Sequence, residues 1–387
     1  MQKRAAMRCL HFTFCILHYT FVTACNSTPA PIQVRQSGAG AYEAALVADV
    51  GGFAVAWHDT RDGNGEIYLQ RLDANGRPAD QERRLTESPD ASYEPSIESL
   101  GDAFVVAWYE QTDGGEQTAM LAAWSRDGSR KWAHAIAPAS RNPVIRSAGR
   151  DVVAAWIQSE ADGSEAVWVG SWDGGGTETR ARKKLGPASE NTWNLNLALD
   201  GAEAWVVFDA MNATRSSELF LGRAGPAGAR LDRLTRDDGL ASKYPDLQMG
   251  ARGRLALTWY DTRDGNDEVY LLVASQSDLR GEIDDRARRV TTTEGESIGA
   301  YVAWNGERVG LTWSDKTLGQ HEIYFQSFDG AGEPLSSPER LTTSETWSLV
   351  PAIRPWRQGF ALAWTEYRPA SGQIQGGTGE VAFTLVD

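Results

Sequence analysis

Phe53-Ala54-Val55-Ala56-Trp57 is a phrase this chain repeats. Variants end at Trp108 (FVVAW), Trp156 (VVAAW), Trp259 (LALTW), Trp313 (VGLTW) and Trp364 (FALAW), and Phe208 closes WVVF between Trp156 and Trp259. Successive intervals are 51, 48, 52, 51, 54 and 51 residues, so a unit of about fifty residues is written seven times. Self-similarity at such a period marks a solenoid, a propeller or an array. Within the phrase Phe53, Val55 and Trp57 fall on one face of a strand and Ala54 and Ala56 on the other. Each sheet then has a thick face and a thin one. Radial stacking needs this, because the large residues of one blade must fit the small residues of the next at near-crystalline density.

The remaining strands are legible around it. A second strand follows each Trp strand (EIYLQRLD, TAMLAAWS, AVWVGSWD, ELFLGRAG, EVYLLVAS, EIYFQSFD, EVAFTLVD), and a Gly-rich turn leads from it to a polar outer strand such as ERRLTE, DRLTR or PERLTT, whose Arg and Thr are expected to face solvent at the blade's edge. A segment such as EPSIES or PDLQM, led by Pro95 or Pro245, supplies the innermost strand of the next copy. The seventh copy reaches Asp387 after its third strand, while Pro31–Gln36 (PIQVRQ) reads as an outer strand that lacks a blade. The expectation is an all-β, seven-bladed β-propeller of four-stranded antiparallel blades, closed by the N-terminal strand completing the last blade, with no open sheet edge.

Residues 1–24 differ from the rest. Lys3, Arg4 and Arg8 give a basic start, and Cys9 to Ala24 is a largely apolar, uncharged run too short to span a bilayer comfortably. This reads as a secretory signal. Val22-Thr23-Ala24-Cys25 at its end resembles the lipobox of bacterial lipoproteins, which implies cleavage before Cys25 and a lipid on its thiol. The domain plan is then a leader at 1–24, a lipidated cysteine and short tether at 25–32, and the propeller at 33–387. Cys9, Cys15 and Cys25 are the only cysteines, so the body can form neither a disulfide nor a cysteine metal site. The expected location is the bacterial cell envelope, on the periplasmic side or cell surface, with the protein a monomer held to the membrane by its lipid. Without the leader, 35 Lys and Arg face 52 Asp and Glu, a net charge of about −17. Such a body repels phosphate backbones and argues against nucleic acid as a partner.

The most conspicuous local motif is DTRDGNGEIY at Asp59–Tyr68, repeated as DTRDGNDEVY at Asp261–Tyr270 and more loosely as DKTLGQHEIY from Asp315. Asp-Gly-Asn suits a tight turn. Asp59, Arg61, Asp62, Asn64 and Glu66, with Asp261, Arg263, Asp264, Asn266 and Glu268, are therefore either staples of the hairpin mouth or ligand-binding residues, and Asp59, Arg61 and Glu66 are expected to meet as one charge cluster. A calcium loop is disfavoured because Arg61 and Arg263 stand where an oxygen ligand should. No metal or other cofactor is expected. The DTRDGN-x-E-IY and RRLT phrases resemble the repeat of TolB-type propellers, related in outline to WD40 repeats. That resemblance implies a propeller and a habit of binding other proteins.

The enzyme alternative is a sialidase-like propeller, since SRDGSRKW at Ser125–Trp132 resembles an Asp-box turn. His58, His134 and His321, the histidines outside the leader, have neither metal-ligand nor triad spacing, and no catalytic residue is assigned. The longer connections emerge on one side of the disc. There Tyr93, Trp193, Tyr244 and Trp347, read as belonging to the blade-to-blade loops, are aromatics of the kind found at protein interfaces and sugar platforms. The expected function is a protein-binding or scaffolding module at that loop face, and the alternative is a disc that binds or hydrolyses glycans.

Overall fold

The computed structural model describes residues 30–36, 40–189, 191–211, 215–370 and 373–387, so the leader, Cys25 and most of the tether lie outside the described residues. The described strands form seven four-stranded antiparallel sheets, the blades of an all-β propeller. We name the strands of each blade a to d from the centre outward. The a strands of blades 1 to 7 are Ala41–Asp49, Ala91–Leu100, Ser140–Ala148, Thr192–Asp200, Ser242–Met249, Ser297–Asn305 and Trp347–Trp356. The b strands, which carry the Trp phrase, are Gly52–Asp59, Ala103–Gln111, Asp151–Ser159, Glu203–Met211, Arg254–Asp261, Arg308–Asp315 and Gly359–Ala370, and the c strands are Glu66–Asp73, Gln117–Ser125, Glu165–Asp173, Ser217–Gly225, Glu268–Ser275, Glu322–Asp329 and Gln373–Val386.

The ring closes as its ends imply. Ile32–Gln36 pairs antiparallel with Gln373–Val386 and is strand d of blade 7, with Ile32 opposite Phe383 and Gln36 opposite Glu380. One blade thus joins the two ends of the chain.

Thick faces meet thin faces on both sides of blade 1. Phe53, Val55 and Trp57 pack on Ala361 and Ala363 of blade 7, while Ala54 and Ala56 receive Phe104, Val106 and Trp108 of blade 2. The tryptophans Trp57, Trp156, Trp259 and Trp364 are fully buried. Their indoles are also tied: Trp57, Trp259 and Trp364 donate Nε1 to a carboxylate two residues on, at Asp59 (3.4 Å), Asp261 (3.1 Å) and Glu366 (2.5 Å), and Trp156 donates to Gln158 at 3.1 Å.

The outer strands correct one expectation. Thr86, Thr235, Thr291 and Thr342 of the R-x-T phrases are buried. Thr86, Thr291 and Thr342 each donate Oγ1 to the glutamate that opens strand c, Glu66, Glu268 and Glu322, and accept from the backbone N–H of the next residue at 2.8 to 2.9 Å. Arg84, Arg289 and Arg340 bind the same glutamates at 2.8 to 3.0 Å. The phrase is a lock for a buried carboxylate, because burying that charge is tolerable only with several donors around it.

Candidate functional site at the channel mouth

All seven a strands run around a central channel, and all are bent at the same place. The a–b register shifts in every blade, between Tyr42 and Ala45, Tyr93 and Ser96, and their equivalents. The residue inside the shift is left-handed in six blades: Glu43 (φ 57°), Glu94 (50°), Asn142 (50°), Tyr244 (52°), Gly299 (59°) and Val350 (50°). For a β-branched valine this conformation is an outlier. Bulges of this kind re-aim side chains and gather at functional sites.

The bulges surround a funnel of about 330 Å³ that receives residues from every blade. Its acids and bases crowd together, Asp246 buried and Glu43, Glu94, Arg146 and Arg354 half-buried. Burial pushes the Glu94 carboxyl up to about 8, the charge of Glu43 adding to the effect, and Tyr109 Oη lies 3.5 Å from its Oε1. Burial also raises Asp246, which accepts the Val302 N–H at 2.8 Å, and lowers Arg354 to about 10, with Arg146 repelling it. Glu43 reaches His58 Nδ1 at 3.2 Å.

Aromatic rings form a ribbon on the same side of the disc. His321, Trp347, Tyr367, Tyr42, His58, Tyr93 and Tyr109 follow one another with centroid separations of 5.2 to 6.3 Å, crossing blades 6, 7, 1 and 2. On blade 5 Tyr244 stacks on Tyr260 at 5.3 Å. Trp193 on blade 4 is 49% exposed and Tyr244 41%, whereas Tyr93 and Trp347 are half-buried within the ribbon. All four expected aromatics belong to the a strands themselves, not to the loops before them. The bulge makes the strand begin one turn earlier than its polar sequence suggests.

The DTRDGN loops rise beside the ribbon and are internally spent. Asp59 is fully buried and accepts from Trp57, from the Arg61 N–H at 2.9 Å and from the Arg61 guanidinium, which also binds Glu82 and lies 4.0 Å over the Tyr68 ring. Glu66 does not join that cluster; it turns to Arg84, Thr86 and the Ser88 N–H. Asn64 donates to the carbonyls of Ser88 and Asp90, and Tyr68 donates to Asp62. Blade 5 repeats the set: Asp261 accepts from Ser242 Oγ (2.7 Å), Trp259 and Arg263, Asn266 donates to the Thr293 and Gly295 carbonyls, Tyr270 donates to Asp264, and Glu268 holds Arg289 and Thr291. Positive φ at Gly63 (106°) and Gly265 (100°) makes the turns. Among the described residues no three His, Cys, Asp or Glu side chains gather as metal ligands. In SRDGSRKW, Asp127 accepts from Ser125 Oγ and the Ser129 N–H, fixing a c–d turn on the face away from the funnel.

Glu43, Glu94, His58, Tyr42, Tyr109, Tyr260 and Tyr367 are the site residues that sequence reading missed. His58, Tyr109 and Tyr260 each directly follow the Trp of their phrase, so aligning the copies one residue further would have collected them.

No family model matches the chain, and no curated protein matches its sequence. Solved structures do match its fold. The endosialidase of phage phi92 aligns with a TM-score of 0.54 at 9% identity, over 92% of this chain and 68% of the endosialidase. The β-propeller domain of the Trilobed protease from Pyrococcus furiosus, described as having an open velcro topology, gives 0.52 at 9% identity, over 89% and 95%. The α-L-arabinanase of Penicillium chrysogenum gives 0.51 at 14% identity, over 76% and 92%. Likeness this remote establishes a shared propeller, and a fold of this kind hosts unrelated activities.

Proposed function

We propose that this chain is a lipid-anchored propeller of the bacterial cell envelope, with a TolB-like repeat, that binds a protein partner through the channel-mouth face. One observation carries the reading: Trp193 and Tyr244, two large aromatics, stand 49% and 41% exposed beside the funnel, while the charged loop of blade 5 next to Tyr244 is occupied with internal bonds. Exposed aromatics on a stiff base are what interface hot spots are made of. The anchor rests on Val22–Cys25 following a basic and then apolar leader. The decisive experiment places a photo-crosslinking residue at position 193 of the full chain in cells and compares the captured species with those of a Tyr244→Ala derivative. Discrete protein adducts that fade with Tyr244→Ala support the reading, and their absence overturns it. Mass spectrometry of the protein should find diacylglycerol on Cys25 with residues 1–24 absent; an unmodified Cys25 overturns the anchor and leaves the face untouched.

A second reading, glycan binding or hydrolysis in the funnel, is favoured by Glu94. A carboxyl that keeps its proton near neutrality beside a tyrosine can serve as a general acid. The similarity to an endosialidase and an arabinanase points the same way, at the level of fold. A panel of sialosides, arabinans and cell-wall glycans tests it: turnover by the native chain that Glu94→Gln abolishes would establish it, and neither binding nor turnover would remove it.

A further inference from the structure

One seam of the ring is built differently from the others, on the face away from the channel mouth. At the layer where each b strand begins, six seams carry a buried aromatic ring: Phe53, Phe104, Trp172, Trp205, Phe328 and Phe360. The seam between blades 3 and 4 has none. Its cross-strand pair on blade 4 is Ala204 opposite Ala224, and blade 3 presents Val153 opposite Ser171. Four small residues meet where other seams place a ring. The result is a cavity of about 590 Å³, within the range of small-molecule sites. Val153 registers the gap: its counterparts Ala54, Val105, Trp205, Ala256, Gly310 and Ala361 are all buried, and Val153 alone is not.

The rim of the cavity carries two cations against one carboxylate, Asp151, in a protein that is acidic as a whole. Arg180 and Lys183, both on strand d of blade 3 (Glu178–Ser189), line it. Arg180 Nη1 donates to the Ala202 carbonyl at 3.0 Å, and Lys183 Nζ donates to the Gly225 carbonyl. Among the described residues, neither has an ion-paired carboxylate, although most arginines around the ring do. Inside, the walls are Val153, Val169, Ala204 and Ala224, and the Ser171 hydroxyl is already bonded to Thr179 Oγ1 at 2.9 Å.

We infer that this seam binds a single-chain anionic amphiphile, an acyl chain with a carboxylate head. The chain replaces the missing ring between the two sheets, where apolar burial favours it. The head takes the two cations away from weaker carbonyl contacts and forms charge-assisted bonds. This site is distinct from the channel mouth and stands whatever the mouth binds.

A dodecanoate bearing a diazirine at its far end tests the inference on the full-length protein, with the adduct mapped by mass spectrometry. Labelling is expected on strands b and c of blades 3 and 4. It should be competed by dodecanoate roughly tenfold better than by its methyl ester, as a charge-assisted bond implies. Ala204→Phe supplies the ring found at other seams, so labelling should fall at least about tenfold while the melting temperature holds or rises. If that variant misfolds, Ala224→Leu fills the same space with a smaller group. Labelling spread over other seams, undiminished labelling in a folded filled variant, or no labelling at all overturns the site. An ester that competes as well as the acid overturns the anionic head.

Discussion

Blades 5 and 4 are neighbours built from the same repeat, yet they satisfy their polar groups in different ways. In blade 5 the Trp259 indole donates to Asp261, Arg263 grips the same carboxylate from above Tyr270, and Arg289 with Thr291 holds Glu268. In blade 4 Phe208 stands for the tryptophan and Ala210 for the acid two residues on. Donor and acceptor have disappeared together. Leaving one buried partner alone costs about 1–3 kcal/mol, whereas removing both is nearly neutral. The pair is made in blades 1, 5 and 7 and absent whole in blade 4, whereas in blade 6 the buried Trp313 Nε1 has no hydrogen-bond partner although Asp315 stands two residues on, so the repeat keeps the pair in some copies only.

The largest effect expected from this comparison is at the tryptophan itself. Trp259→Ala removes a fully buried ring and also leaves Asp261 short of a donor, so it should lie at the upper end of the roughly 3–5 kcal/mol seen for buried aromatic truncations. Phe208→Ala removes a ring with no such bond and should fall at the lower end. Urea titrations giving the reverse order would break the comparison.

Phe208→Trp asks the same question from the other side. The new Nε1 faces Ala210, which is buried and cannot accept, so the variant should lose on the order of 1–3 kcal/mol. Ala210→Asp added to it should restore much of that loss. A double-mutant cycle with no coupling between positions 208 and 210 would show that the Trp-x-acid pattern is incidental.

What the sequence disclosed and what it hid divide along similar lines. The alternation of Phe53, Val55 and Trp57 with Ala54 and Ala56 determined both faces of every blade, because a period of two is local and is repeated seven times. Closure by Pro31–Gln36 was legible for the same reason: the copies define what is missing. The buried role of Thr86 was not, since its partner Glu66 lies twenty residues away and a threonine between charged residues looks solvated. The bulges were half visible in Pro95, Pro143, Pro245 and Pro351, each directly after the left-handed position or its equivalent, but nothing local says that Glu94 is then turned into the funnel. The empty seam required knowing that Ala204 stands across from Ala224, and register between strands is not written in either strand.

The two blades should also respond oppositely to pH. In blade 4 burial pushes Glu218 up to about 7 and Asp209 to about 6, while Arg233, at the position of Arg289, pairs with Asp237 and Glu282. A raised carboxyl contributes stability that is complete below its unfolded value of about 4.3 and is lost as pH rises through 7. Glu218→Gln should thus stabilise the protein at pH 8 relative to the parent and do so less at pH 5. Burial alone would raise Asp261 as well, but its bonds from Arg263 and Ser242 outweigh that and hold it low. Its contribution is present above about pH 3.9 and fades as pH falls below that. Asp261→Asn should be destabilising at pH 7 and approach the parent as pH falls through the acid range below that. Parallel pH profiles for the two variants in chemical denaturation would contradict the contrast between the blades.

The smallest expected effect on stability is at the exposed aromatic of blade 4, and it separates core from face within one blade. Trp193 lies on strand a and is about half exposed, whereas Phe208 is buried against blade 3. Trp193→Ala removes little packed surface and should change stability by no more than about 0.5 kcal/mol, the range of ordinary surface substitutions. If the channel mouth is the binding face, the same change should cost a hot-spot fraction of binding, on the order of 2 kcal/mol, roughly thirtyfold in affinity. Phe208→Ala should do the opposite at a temperature where it remains folded, weakening stability and sparing affinity. A Trp193→Ala protein that is both stable and fully competent for its partner would move the binding surface away from blade 4 and leave Tyr244 and the ribbon of blades 6, 7, 1 and 2 as the surface to dissect.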